Sequence, residues 1–112
     1  MNLSSRKHDK IVIIDLSGRI DCDYDRLKEQ ILALVKDEIK VIMNCSGLEY
    51  ITSFGLRAFL NVLKKMTHSE SSLIICCLQK NVKNIFAITG FLNLFEIYNT
   101  EQEAIEHVLE SE

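Results

Sequence analysis

Runs of apolar, mostly β-branched residues alternate along the chain with segments in which apolar residues recur every three or four positions. Segments 11–16, 41–45 and 73–78 are nearly continuous apolar runs, which predicts strands buried on both faces of a sheet. Segments 27–35 and 56–66 have helical spacing, which predicts amphipathic helices. The alternation predicts an α/β fold, in which about four helices pack on a mostly parallel sheet of four or five strands.

Turn-forming residues set the predicted boundaries in the first two thirds of the chain. Gly18 is expected to end the first strand. Segment 46–52 is predicted to be a loop that joins the second strand to a long helix. That helix is expected to have the solvent-accessible Ser53 as its N-cap and to run to about His68.

The last third contains three further signals. A short helix over 81–89 is expected to end at Gly90, because glycine readily adopts the positive φ of a helix C-terminus. Segment 94–98 is predicted to be an edge strand. Thr100 and Glu103 have the spacing of a capping box before a final helix.

The composition limits the class of protein. The 112 residues fit one domain over 1–112, and 47% of them are hydrophobic, which suffices for a core. The net charge of −3 gives no electrostatic basis for nucleic-acid binding. No apolar run approaches the roughly 20 residues that span a bilayer, and the polar N-terminal residues differ from a signal peptide. We therefore expect a cytoplasmic protein without membrane insertion.

The cysteines favour the same compartment. The sequence contains no Cys-x-x-Cys motif for zinc or redox chemistry. Cys45 and Cys76 lie at the ends of apolar runs, and Cys77 adjoins Cys76, so these are expected to be buried, unpaired thiols. Cys22 lies in a polar loop and is the cysteine expected to be reactive.

The usual signatures of catalysis are missing from the sequence. Neither glycine-rich nucleotide fingerprint occurs, and no serine lies in a Gly-x-Ser-x-Gly elbow. Cys45 follows a strand, as a phosphatase nucleophile would, but Ile51 stands where an arginine would hold the phosphate. The histidines have no metal-ligand spacing. We expect no enzymatic turnover, no cofactor and no metal.

Three alternating carboxylates, Asp21, Asp23 and Asp25, precede the first predicted helix. They could bind a hard cation, but the glycine and the distal glutamate of an EF-hand are missing. The alternative is structural, since carboxylates at a helix N-terminus accept unpaired N–H bonds and meet the positive end of the dipole.

Ser53 permits two interpretations. As an N-cap, its hydroxyl would accept a hydrogen bond from the first helical turn. The same position would also tolerate a phosphate, because N–H groups and the helix dipole favour negative charge there. Local physics alone favours the N-cap role and does not exclude the phosphate.

Segments 16–21 (LSGRID), 41–48 (VIMNCSGL) and 50–56 (YITSFGL) together resemble the STAS domain, named for sulfate transporters and anti-sigma factor antagonists. Within that family the chain resembles the free-standing bacterial anti-sigma factor antagonists over nearly its whole length. The resemblance implies that Ser53 is phosphorylated by a partner that is both an anti-sigma factor and a serine kinase of the histidine-kinase-like ATPase fold. It also implies that the unphosphorylated protein binds this partner and releases a sigma factor, and that a serine phosphatase reverses the modification.

The sequence departs from the family pattern at three places. Thr52 and Asn44 stand where the family often has aspartate, and Thr52 is an alternative phosphate acceptor. The stretch before Lys10 looks short for the first edge strand of the family. The residues expected to contact the partner are Asp21, Asp23, Thr52, Ser53, Phe54, Gly55, Arg57, Asn61 and Lys64.

Two other classes of function stay open on the sequence. One is a non-switching STAS scaffold or subunit of a signalling or transport assembly. The other is an enzyme or nucleotide binder that uses the C-terminal edge of the sheet, where ligands of open α/β sheets bind. Co-purification with a kinase-like ATPase, a transporter or a nucleotide would distinguish them.

Overall fold

The computed structural model describes residues 2–20, 24–35 and 40–110. Within them the elements follow in the order β1 (Asn2–His8), β2 (Ile11–Ile20), α1 (Tyr24–Leu34), β3 (Lys40–Ile51), α2 (Ser53–His68), β4 (Ser72–Cys76), α3 (Lys80–Ile88), a 3-10 turn (Phe91–Asn93), β5 (Glu96–Tyr98) and α4 (Glu101–Glu110). The strands form one sheet in the order β1-β2-β3-β4-β5, in which β2 to β5 are parallel. The predicted α/β class is confirmed.

The first strand lies antiparallel at the edge of the sheet. It pairs with β2 along its whole length, from Asn2 opposite Ser17 to His8 opposite Ile11. Asp9, with φ of 55°, makes the tight turn between the strands, because aspartate tolerates the left-handed region. The expectation that the N-terminal stretch is too short for this strand was therefore wrong, since a tight hairpin needs few residues.

Alternate residues of the central strands face two different helical layers. On β2, Val12, Ile14 and Leu16 join the core cluster that includes buried residues of α1, α2 and α3. Ile11 and Ile13 join the smaller cluster that includes Ala104, Ile105 and Val108 of α4. Burial on both faces is what the continuous apolar runs predicted.

Aromatic rings fill much of the larger cluster. Phe59 of α2 lies 6.4 Å from Phe86 of α3, measured between ring centroids. Phe86 in turn lies 5.9 Å from Phe95, which stacks on Phe91 at 6.4 Å. These contacts join α2, α3 and the segment before β5 into one packed layer.

Two strands extend further than predicted. β2 continues past Gly18 to Ile20, and β3 continues through the predicted loop 46–52 as far as Ile51. Gly18 has φ of 93°, and the β2–β3 pairing shifts register on both sides of it. The glycine therefore permits an irregularity within the strand instead of ending it.

The C-terminal boundaries agree better with prediction. Gly90 follows α3 with φ of 81°, and the Thr100 hydroxyl accepts a hydrogen bond from Glu103 N at 3.1 Å, as the capping box requires. The edge strand is shorter than the predicted 94–98, because Phe91–Asn93 forms a 3-10 turn and Phe95 is buried in the core. No helix among the described residues has the length and apolar character to cross a membrane.

Candidate partner-binding site

The end of β3 positions the start of α2. Strand β4 pairs with β3 only as far as Asn44, so the continuation of β3 loses its neighbour on that side. Two side-chain amides replace that neighbour: Gln79 donates to the Ser46 carbonyl at 2.8 Å, and Asn81 donates to the Glu49 carbonyl at 2.6 Å. These two carbonyl groups, which have no partner in β4, are thereby satisfied. The end of β3 that leads into α2 is held by β2 on one side and by the two amides on the other.

Thr52, and not Ser53, is the N-cap of α2. Its backbone is extended, with φ of −92° and ψ of 173°, and its hydroxyl accepts a hydrogen bond from Gly55 N at 3.4 Å. Leu56 N donates to the Thr52 carbonyl at 3.0 Å, which is the first helical bond. The prediction that Ser53 caps the helix was wrong by one residue, because threonine and serine both suit an N-cap and sequence could not choose between neighbours.

Ser53 is the first helical residue and is exposed to solvent. Its N–H and that of Phe54 precede the first helical bond, at the positive end of the helix dipole. Because Thr52 provides the cap, a group added to the Ser53 hydroxyl would leave the capping bond in place. The predicted accessibility of Ser53 and the end of its helix at His68 are confirmed.

The other described candidates lie on or under the same helix. The Phe54 side chain is 55% exposed, and Arg57 and Lys64 are also exposed. Asn61 is half-buried, and its amide donates to the Arg57 carbonyl at 3.0 Å. Gly55 is buried and contributes its N–H to the cap. Asp21, Asp23 and the predicted reactive Cys22 lie outside the described residues.

The sequence did not predict that the cationic side chain of Arg19 lies close to the end of β3. Arg19 pairs with Tyr50 across β2 and β3, and its guanidinium carbon lies 4.6 Å from the centre of the Tyr50 ring. The pairing depends on the register shifts around Gly18, which the sequence does not reveal. The carbonyl-binding amides of Gln79 and Asn81 were missed for a similar reason, since their acceptors lie more than thirty positions earlier in the chain.

The departure at Asn44 has a structural explanation on the opposite face of the sheet. Asn44 Nδ2 donates to Glu101 Oε1 at 2.9 Å, and Asn44 Oδ1 accepts from Ser46 N at 2.9 Å. Arg6 Nη2 donates to the same Glu101 oxygen at 2.6 Å, and Arg6 Nε contacts Asp15 at 2.6 Å. We call Arg6, Asp15, Asn44 and Glu101 the α4 clasp. An aspartate at 44 would face Glu101 with a second carboxylate instead of a donor.

The clasp shifts the ionisation of Glu101. The hydrogen bond from Arg6 lowers the pKa of the Glu101 carboxyl, and the donor of Asn44 acts in the same direction, whereas desolvation opposes both. The carboxylate therefore stays ionised at neutral pH and joins α4 to β1 through Arg6 and to β3 through Asn44.

The three cysteines in the described part of the chain show no sign of a nucleophilic site. Cys45 and Cys76 are free and buried, as predicted, and Cys77 is free and half-buried. Burial raises the pKa of the Cys45 thiol, which keeps it protonated. Among the described residues, no cluster of histidine, cysteine and carboxylate side chains is placed to hold a metal ion.

Comparison with known proteins gives a consistent result. The family model of the STAS domain matches residues 2–104. BtrV of Bordetella bronchiseptica, named as an anti-sigma factor antagonist, is 33% identical over 106 residues, which cover 93% of this chain and 91% of BtrV.

Solved structures show the same fold. A crystal structure of an anti-sigma factor antagonist from Mycobacterium paratuberculosis has a TM-score of 0.85 at 23% identity, covering 96% of this chain and 92% of that one. The Bacillus cell fate determinant SpoIIAA in its phosphorylated form has a TM-score of 0.69 at 19% identity, covering 96% and 99%. The sheet order, the matched span and the relative from Bordetella agree, and the chain belongs to the STAS domain family.

Proposed function

We propose that the protein is an anti-sigma factor antagonist that acts by binding and not by catalysis. In this proposal the unmodified protein binds an anti-sigma factor that is also a serine kinase, and so releases a sigma factor in the cytoplasm. Phosphorylation of Ser53 breaks the complex, and a serine phosphatase restores it. The relative from Bordetella, named as an anti-sigma factor antagonist, supports the assignment.

The observation that most supports the switch is the separation of two tasks at the start of α2. Thr52 caps the helix, while the adjacent Ser53 is exposed beside the exposed ring of Phe54. A kinase can therefore reach the Ser53 hydroxyl without disrupting the fold. The helix N-terminus would accept the added phosphate, so we expect the modified protein to stay folded.

Phosphorylation would oppose binding for an electrostatic reason. The phosphate adds about −1.5 to −2 charges at pH 7. A partner shaped for a neutral hydroxyl must then desolvate a dianion at the centre of the contact. A mismatch of that kind costs several kcal/mol, and about 1.4 kcal/mol already weakens affinity tenfold.

Labelling by the cognate anti-sigma kinase tests the acceptor. We expect one phosphate per chain on wild type and on Thr52→Ala, and none on Ser53→Ala. Phosphopeptide mapping would assign the site directly. Full labelling of Ser53→Ala would move the acceptor to another residue, with Thr52 tested first.

Calorimetric affinity for the same kinase tests the switch. Ser53→Ala should bind about as well as wild type, whereas Ser53→Asp should bind at least about tenfold more weakly. Circular dichroism of the three proteins should nearly superimpose. Equal affinity for all three would instead favour a non-switching STAS scaffold.

A further inference from the structure

Helix α2 has an unusual distribution of charge. Its sixteen residues include no aspartate or glutamate, whereas Arg57, Lys64 and Lys65 are all exposed. The whole chain has a formal net charge of −3. The helix that begins at Ser53 is therefore net positive on a chain that is net negative.

Helical spacing places most of this charge in line with Ser53. At about 100° per residue, Ser53, Arg57, Lys64 and His68 fall within an arc of roughly 60°, and we call these residues the α2 stripe. All four are exposed, and the stripe extends about 22 Å along the helix. Lys65 points about 80° away from Arg57 and so lies beside the stripe.

Arg57 lies one turn after Ser53. Residues four apart on a helix have Cβ atoms about 5–6 Å apart, within reach of an ion pair. The order is the favourable one, with the negative group N-terminal to the positive group. A guanidinium also matches the geometry of phosphate oxygens with two parallel hydrogen bonds. A phosphate on Ser53 would thus have a cation of its own chain at hand.

We propose that Arg57 couples the modification of Ser53 to the binding surface. In the unmodified protein Arg57 and the rest of the α2 stripe contact an acidic surface of a partner protein. In the phosphorylated protein Arg57 pairs with the Ser53 phosphate and is withdrawn from that contact. This inference rests on the proposed function. It specifies in addition that the contacted partner surface is acidic and that Arg57 is the residue that responds to the phosphate.

Charge complementarity selects an acidic protein over nucleic acid as the occupant. The stripe contains two permanent cations, Arg57 and Lys64, on a chain that is negative overall. A polyanion as long as a duplex would extend beyond the stripe and meet the field of a chain that is negative overall. A protein surface with a few carboxylates matches the stripe without that repulsion.

The pairing can be tested without any partner. Phosphoserine is incorporated at position 53 during translation, and ³¹P NMR follows its second ionisation, whose ordinary pKa is about 6. We expect this pKa to be about 0.2–0.4 unit lower in wild type than in Arg57→Gln, with Arg57→Lys in between. Lys65→Gln removes the same charge from beside the stripe and should match wild type.

Charges on the neighbouring helix α1, including Asp25 and Glu29, are the same in every variant, so the difference isolates Arg57. Equal values for wild type and Arg57→Gln would overturn the pairing. Because the phosphate is installed synthetically, the result does not depend on whether a kinase modifies Ser53 in cells. If no kinase labels the protein, the proposed function is refuted, but the comparison of phosphoserine pKa values between wild type and Arg57→Gln stays valid.

Binding of a decaglutamate peptide tests the surface and the coupling together. In ¹⁵N NMR at low salt, the peptide should shift resonances of the α2 stripe. Arg57→Gln and phosphoserine 53 should each weaken binding, by about threefold on a surface-charge scale, but together they should fall well short of the ninefold product. Losses that multiply, shifts on another face, or tighter binding of a duplex oligonucleotide would each overturn the proposal.

Discussion

Helices α2 and α3 on one face of the sheet and helix α4 on the other face use charge in opposite ways. Helices α2 and α3 contain the cations Arg57, Lys64, Lys65, Lys80 and Lys83 and no carboxylate, whereas α4 contains Glu101, Glu103, Glu106 and Glu110 and no lysine or arginine. The carboxylates of α4 are largely committed within the protein. Glu101 lies in the α4 clasp, Glu103 accepts from the Thr100 hydroxyl at 3.1 Å and Glu106 accepts from Gln102 at 3.1 Å.

The cations of α2 and α3 are exposed on the other side of the sheet. The difference shows which layer uses charge to hold its helix and which leaves its charge available to a partner. On the α4 side, charge joins a helix to the strands beneath it. On the α2 side, packing of aromatic rings joins the helices to the core, and the cationic side chains stay exposed at the surface beside Ser53.

The largest expected effect concerns the aromatic layer. Phe59→Ala should lower the free energy of unfolding by about 3–5 kcal/mol, because it opens a cavity where the ring is fully buried beside Phe86. Val108→Ala truncates a buried side chain on α4, removes fewer buried atoms and should cost clearly less. Urea denaturation of both variants measures the difference. Equal losses would mean that the two layers hold the fold equally.

The next largest effect concerns the hydrogen bond between Asn44 and Glu101 in the α4 clasp. Asn44→Asp replaces the donor to Glu101 with a carboxylate. We expect a loss of about 1–2 kcal/mol at pH 7, from the lost hydrogen bond and like-charge repulsion. The Asn44→Asp/Glu101→Gln double variant should recover most of it. If Asn44→Asp is neutral on its own in denaturant titrations, the departure at 44 needs another explanation.

The fold was largely predictable because its strongest signals are periodic. The predicted runs 11–16 and 41–45 lie within β2 and β3, and the helical spacing over 56–66 lies within α2. The predicted run 73–78 overlaps β4, which ends two residues earlier at Cys76. What the sequence hid were contacts between distant positions. The extension of β3 beyond Cys45 depends on pairing with a shifted β2 and on amides from the start of α3.

The candidate site was predictable as a region but not in its details. Ser53 was recognised from its place before an amphipathic helix, yet the cap proved to be Thr52. By its resemblance to the STAS family, Thr52 was interpreted only as the absence of an aspartate. The structure shows that Thr52 accepts from Gly55 N. Asn44 was similarly ambiguous until Glu101, 57 positions away, was found beside it.

A smaller effect should appear on acidification. Arg6 holds the pKa of Glu101 below its usual value of 4.5, so the folded state binds fewer protons than the unfolded state. The resulting stabilisation is complete above the unfolded pKa and is lost as pH falls through the folded pKa. Because the Glu101 side chain is 26% exposed and that of Arg6 is 48% exposed, we expect only about 0.5–1 kcal/mol.

Denaturation of wild type and Glu101→Gln between pH 7 and pH 3 measures this contribution. Wild type should be more stable at pH 7, and the two curves should converge below about pH 4.5. A constant difference over the whole range would mean that the stabilisation does not depend on the ionised carboxylate. No such convergence is expected for Lys64→Gln, because that change lies on the α2 side, away from the clasp.

The smallest effects distinguish the two residues at the start of α2. Thr52→Ala removes the acceptor of the Gly55 N–H and should cost about 0.5–1 kcal/mol, at the low end for an N-cap because the bond is 3.4 Å long. Ser53→Ala changes an exposed hydroxyl at the first helical position and should stay within about 0.5 kcal/mol of wild type. Thermal and urea unfolding of both variants, measured side by side, decide the order. A reversed order would return the cap to Ser53, and any phosphate placed there would then have to break the cap as well as repel a partner.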